Sequence, residues 1–115
     1  MEHNLEVTTG QKDDVTILHL KGDVTAVTGK IIEAEYKKAS EMDAKKLILL
    51  FNGENYINSG GIAALILIAS QSKKKGQQIF MTGLTDHFLK IFEMVGLSKY
   101  INIYPSEEAA LAGFV

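Results

Sequence analysis

The residue whose setting most invites chemistry is Ser59, in the stretch Tyr56-Ile57-Asn58-Ser59-Gly60-Gly61. A strand-like segment ends shortly before it and a helical pattern begins shortly after, the kind of turn where open α/β sheets place their ligand sites. Such a serine can attack as a nucleophile or simply cap the helix. A nucleophile elbow needs Gly two residues before the serine, and this chain has Ile57 there. A triad also needs a histidine oriented by a carboxylate, whereas His3, His19 and His87 fall in a tail, a strand and the first turn of a helix. No catalytic residue is assigned. As a cap, Ser59 would accept a hydrogen bond from a backbone N–H of the helix's first turn.

The neighbouring Gly60-Gly61 fits neither a dinucleotide fingerprint nor a P-loop, because the spacing is wrong and no Gly-Lys-Ser/Thr follows. Two side-chain-free residues beside a cap would let another protein's backbone come close. Lys73-Lys74-Lys75 reads as a solvated helix end, and His87, behind Thr85-Asp86, as a solvent-facing first-turn residue. There is no His-Glu-x-x-His, no Asp-rich loop and no cysteine, so neither a metal site nor a cofactor is expected.

The whole chain bounds what such a site can serve. Its 115 residues have room for one domain, expected over residues 1–115 with a core from about 5 to 111. Hydrophobic residues make up 46% and charged residues 23%, enough for a packed core. Twelve cations, all lysine, face 14 carboxylates for a net charge of -2, which argues against nucleic acid: a net-negative surface lacks the attraction to a polyanion, and arginine forks are missing. Residues 1–10 carry Glu2 and Glu6 and do not resemble a secretory leader, and the longest apolar run, Ile62 to Ala69, is too short to cross a bilayer. A cytoplasmic protein without membrane contact is expected.

The elements that must position Ser59 follow from periodicity. Leu5 to Thr9 and Val15 to Lys21 read as a hairpin around a turn at Gly10 to Asp14. Ile32, Tyr36 and Ala39 share one face of a helix over about Thr28 to Met42. Lys46 to Phe51 is apolar on both faces, as a central, doubly covered strand should be. A helix beginning near Ser59 runs to Lys75 and stops at Gly76, followed by a strand over Gln78 to Thr82. Thr85 opens a helix whose Phe88, Ile91, Phe92 and Val95 form a stripe ended by Gly96. Ile101 to Tyr104 gives a short strand, and Ser106 caps a final helix. The order ββαβαβαβα implies an α/β fold with a mixed, mainly parallel sheet.

In this order Leu20-Lys21-Gly22-Asp23-Val24, Leu47 to Phe51, Tyr56 to Ile62, Lys74-Lys75-Gly76 and Phe88 to Leu97 together give a chain that resembles a stand-alone STAS domain of the bacterial anti-sigma-factor antagonist family. Most specific are the Asp-Ser-Ser-Gly-like loop at Asn58 to Gly61 and the helix end at Ile91 to Leu97. The resemblance implies a non-enzymatic switch. The first serine of the family's loop is phosphorylated by a partner that is both serine kinase and anti-sigma factor, and a serine phosphatase reverses it. Ser59 occupies that position, and Asp23, Thr25, Asn58, Ser59, Gly60 and Gly61 correspond to the partner-binding rim. The chain departs from the pattern where Asn58 replaces the usual Asp, Gly60 the second Ser, and Thr25 a frequent acidic residue. An alternative within the resemblance is a scaffold or sensor STAS domain in a larger assembly, with Ser59 as a cap alone.

Overall fold

The computed structural model describes residues 4–114, so His3 lies outside the described residues. The chain forms β1 (Leu5–Lys12), β2 (Val15–Gly22), α1 (Gly29–Glu41), β3 (Lys46–Phe51), α2 (Ser59–Lys74), β4 (Gln78–Thr82), α3 (Asp86–Met94), β5 (Asn102–Tyr104) and α4 (Glu107–Gly113). This is the α/β order expected from the pattern. A 3-10 turn at Leu97–Lys99, which the periodicity does not announce, follows Gly96 in its left-handed conformation (φ 78°). The hairpin is tighter than expected: Lys12 pairs with Val15, leaving a two-residue turn in which Asp13 takes φ 55°. Asp tolerates that region, and two-residue turns match the twist of paired strands.

The five strands lie in chain order, β1 antiparallel to β2 and the other neighbours parallel. Right-handed crossovers between strands that advance steadily in one direction leave their helices on a single face. Ile32, Tyr36, Leu65, Ile68, Phe88 and Phe92 of the three crossover helices accordingly share one core with Leu18, Leu20, Leu47, Leu49, Ile79 and Met81 of the sheet. The opposite face carries a smaller cluster, Val15, Ile17, Ile48 and Phe80 under Ala110, with Leu111 and Phe114 packed against it. β3 is therefore covered on both faces as expected, but by unequal layers, and Leu50 is only half-buried.

Ile66 is expected on the buried face of the helix after Ser59 and Val95 in the apolar stripe of the helix after Thr85, and both expectations need correction. Ile66 is partly buried, while Leu65, Ile68 and Ala69 are the fully buried positions of α2, because the helix leans its 65/68/69 edge into the sheet. Val95 is exposed: α3 ends at Met94, and the turn into Gly96 carries Val95 off the stripe that Phe88 and Phe92 complete.

Candidate functional site

Two loops leave the C-terminal ends of adjacent parallel strands, β2 into α1 and β3 into α2, and the geometry around Ser59 is made by stitching them together. Val24 and Ile57 form an isolated parallel bridge, with the Val24 N–H donating to the Tyr56 carbonyl at 2.8 Å and the Asn58 N–H donating to the Val24 carbonyl at 3.1 Å. That bridge holds Asn58 extended (φ -96°, ψ -179°), the conformation of a helix N-cap. Its Oδ1 accepts from the Gly61 N–H at 2.9 Å and its carbonyl from the Ile62 N–H at 2.9 Å.

The cap is therefore Asn58 and not Ser59. Ser59 is the first residue of the helix, exposed, and its hydroxyl has no hydrogen-bond partner among the described residues. The first four N–H groups of a helix have no partner within it. Here Asn58 takes those of Gly61 and Ile62, leaving those of Ser59 and Gly60 beside the Ser59 hydroxyl.

Gly60 and Gly61 serve the chain's own packing. A Cβ on Gly60 would lie 2.8 Å from Ala26 Cβ and 2.9 Å from Ala26 N, and one on Gly61 would run into the Val24 carbonyl. The start of α2 thus rests directly on the β2–α1 loop. That loop is rigid in its turn. Thr25 is buried, its N–H donates to Thr28 Oγ1 at 2.8 Å, the Thr28 N–H donates to Thr25 Oγ1 at 3.2 Å, and the Thr28 hydroxyl donates to the Asp23 carbonyl at 2.7 Å. Asp23 is half-buried at the head of this loop, one residue before the bridge. Asp23, Asn58 and Gly60 are half-buried and Ser59 is exposed, whereas Thr25 and Gly61 are buried.

Asn55 closes the turn cluster Asn52-Gly53-Glu54-Asn55 after β3, and nothing in that local sequence marks it for a wider role. It is 6% exposed, and its amide donates to the carbonyls of Leu20 (3.1 Å) and Gly22 (2.8 Å) while its Oδ1 accepts from the Asn52 N–H (2.8 Å). One side chain so pins the end of β2 to the β3–α2 loop. The two loops and α2 also expose large apolar side chains: Val27, next to the Ala26–Gly60 contact, is 77% exposed, Tyr56 53% and Leu67, two turns along α2 from Ser59, 46%. Among the described residues no group of three or more His, Cys, Asp or Glu gathers that could hold a metal ion, and no helix is long and apolar enough to cross a membrane.

Residues 6–110 match the family model of the STAS domain. BtrV of Bordetella bronchiseptica, named as an anti-sigma factor antagonist, is 26% identical over 110 residues that cover 96% of this chain and 95% of that protein. An anti-sigma factor antagonist from Mycobacterium paratuberculosis has a similar structure, with TM-score 0.82 and 16% identity over 95% of this chain and 92% of the other. The Bacillus cell fate determinant SpoIIAA, solved in its phosphorylated form, is similar at TM-score 0.62 and 17% identity over 96% and 97% of the two chains. These structural likenesses bear on the fold. The match to the family model along nearly the whole sequence, on a fold that these proteins share, shows that the chain belongs to the STAS domain family.

Proposed function

We propose that this STAS domain is an anti-sigma-factor antagonist: a phosphorylation-gated binding module, not an enzyme, that docks on a kinase-like anti-sigma factor when Ser59 is unmodified and thereby frees a sigma factor. The observation that carries this reading is the division of labour between Asn58 and Ser59. Asn58 makes the capping bond, so Ser59 keeps an exposed hydroxyl with no structural duty at the end of a rigid platform. The scaffold or sensor alternative gains nothing from a capping role for Ser59, and it differs from this reading in expecting no phosphate there. The likeness to BtrV, named as an anti-sigma factor antagonist, supports an anti-sigma factor as the partner; a serine kinase activity in that partner and an opposing serine phosphatase are part of the proposal.

The physics of the gate follows from position. A phosphate on Ser59 adds about -1.5 to -2 charges at pH 7, close to the two N–H groups that the Asn58 cap leaves over and to the positive end of α2. The domain tolerates it. The partner faces a dianion at the head of α2, on loops that also expose Val27 and Tyr56, and desolvating that charge opposes docking. Binding is lost while the fold persists. Intact-mass measurement of the protein purified from its own host tests this: a single phosphate that disappears in Ser59→Ala is expected, and a phosphate mapped elsewhere, or none while the host's anti-sigma factor is active, contradicts the gate.

A further inference from the structure

We propose that the outer edge of β1 pairs with β1 of a second copy of this chain, joining two sheets into one through a two-fold axis at Thr9. β1 is an edge strand of eight residues, long enough to act as a template for another strand. Its outward groups are fixed by the hairpin. The two-residue turn makes Lys12 and Val15 a hydrogen-bonded pair, and pairs alternate along an antiparallel ladder. The Asp23 N–H donating to the Asn4 carbonyl at 3.0 Å, at the far end, keeps the same parity. Asn4, Glu6, Thr8, Gly10 and Lys12 therefore spend their backbone groups on β2, and Leu5, Val7, Thr9 and Gln11 turn theirs outward.

Charge chooses the register. With Thr9 opposite Thr9, an outward-facing pair, Glu6 of each copy lies opposite Lys12 of the other. That position is non-hydrogen-bonded, where side chains approach most closely. Lys21, beside Glu6 on β2, extends the row to alternating signs across the junction. Registers displaced by two residues lose both Glu6–Lys12 pairs.

The helix layer fits as well. A two-fold axis perpendicular to the sheet keeps α1 of both copies on the same face. Because α1 packs on β1 and β2 alike, the two helix axes would lie about two strand spacings apart, roughly 10 Å, which is a packing distance for helices. Ile31, Glu35, Lys38 and Met42 recur along one stripe of α1, and Thr9 Oγ1 donating to Glu35 at 3.2 Å places that stripe over the β1 edge. Ile31 is 42% exposed and Met42 85% exposed, apolar surface that a second copy would cover.

The chain contains no cysteine, so cross-linking starts from a silent background. Thr9→Cys should give a disulfide-linked dimer on mild oxidation, since paired Cα atoms lie about 5.5 Å apart, within reach of a disulfide. Lys12→Cys should not link to itself but should link to Glu6→Cys when the two proteins are mixed. In sedimentation equilibrium Lys12→Glu should weaken the dimer about ten-fold or more by placing carboxylates opposite one another, and Glu6→Lys with Lys12→Glu should restore it. A parent protein that is monomeric at every concentration overturns the proposal, as does a dimer in which Lys12→Cys links to itself or Lys12→Glu changes nothing. None of these residues lies on the Ser59 rim, so either result is independent of the switch.

Discussion

Gly61 lies against the carbonyl of Val24 with no room for a side chain between them: a Cβ there would overlap both the oxygen and the carbon of that carbonyl. The two loops that present Ser59 are thus one packed unit, and the glycines are part of it. Gly61→Ala should destabilise the domain by about 1 to 3 kcal/mol through overpacking and disturb the Val24–Ile57 bridge. Denaturant unfolding checks this, and a change within the scatter of surface variants contradicts it.

Gly60→Ser would restore the second serine usual in the family's loop, and here it meets Ala26 Cβ and N at 2.8 and 2.9 Å from its Cβ. The expected result is lost stability, relieved in part by Ala26→Gly, which removes one of the two contacts. Additive effects of the two substitutions in a double-mutant cycle would mean that the contact is not the cause.

The capping roles separate by substitution. Asn58→Ala should cost about 1 kcal/mol, because the Gly61 N–H loses its acceptor. Ser59→Ala should change stability by less than about 0.5 kcal/mol, since its hydroxyl bonds nothing in the fold. Asn58→Asp keeps the acceptor and adds charge at the helix N-terminus, so it should be neutral or stabilising. Chemical denaturation of the three variants gives the ranking directly.

Phe92 is fully buried between α3 and the sheet, and Phe92→Ala should cost about 3 to 5 kcal/mol in transfer and cavity energy. A melting temperature within a degree or so of a surface variant such as Lys90→Ala would show that α3 does not close this core.

Tyr36 gives a pH signature. It is fully buried and its hydroxyl donates to Gln77 Oε1, and burial raises the phenol above its ordinary value of 10.0. The folded state holds this proton more tightly than the unfolded chain, so the contribution is complete below about pH 10 and is lost as pH rises through the folded value. Tyr36→Phe should be less stable than the parent near neutrality, by about 1 kcal/mol, and the gap should narrow above pH 10. A gap that is constant or widens with alkali contradicts this assignment.

The element order was legible from three kinds of pattern: the alternation of Leu5 to Thr9, the short unbroken apolar run Leu47 to Phe51 before a turn, and the helical stripe of Phe88, Ile91 and Phe92. The place of Ser59 at a strand-to-helix turn was legible too, from the apolar strand before it and the helical run after it. The identity of the cap was not. Asn58 and Ser59 are both good N-cap residues in adjacent positions, and the choice is made by the hydrogen bond from the Asn58 N–H to Val24, more than 30 residues earlier. The same distance in sequence hid the work of Gly60 and Gly61, whose neighbours Val24 to Ala26 arrive only through the parallel pairing of β2 and β3. Asn55 looked like any turn asparagine, because the carbonyls it satisfies belong to the end of another strand.

The most direct test of the switch is calorimetric titration of Ser59→Asp and Ser59→Ala against a kinase-like anti-sigma factor from the same genome. Ser59→Asp places a negative charge at the first position of α2 with the Asn58 cap intact, so both variants should lie within about 1 kcal/mol of the parent in stability. The expected result is that Ser59→Ala binds as the parent does and Ser59→Asp binds far more weakly although it is at least as stable. Equal affinities for the two variants, or affinities that simply follow stability, would contradict a charge gate at Ser59.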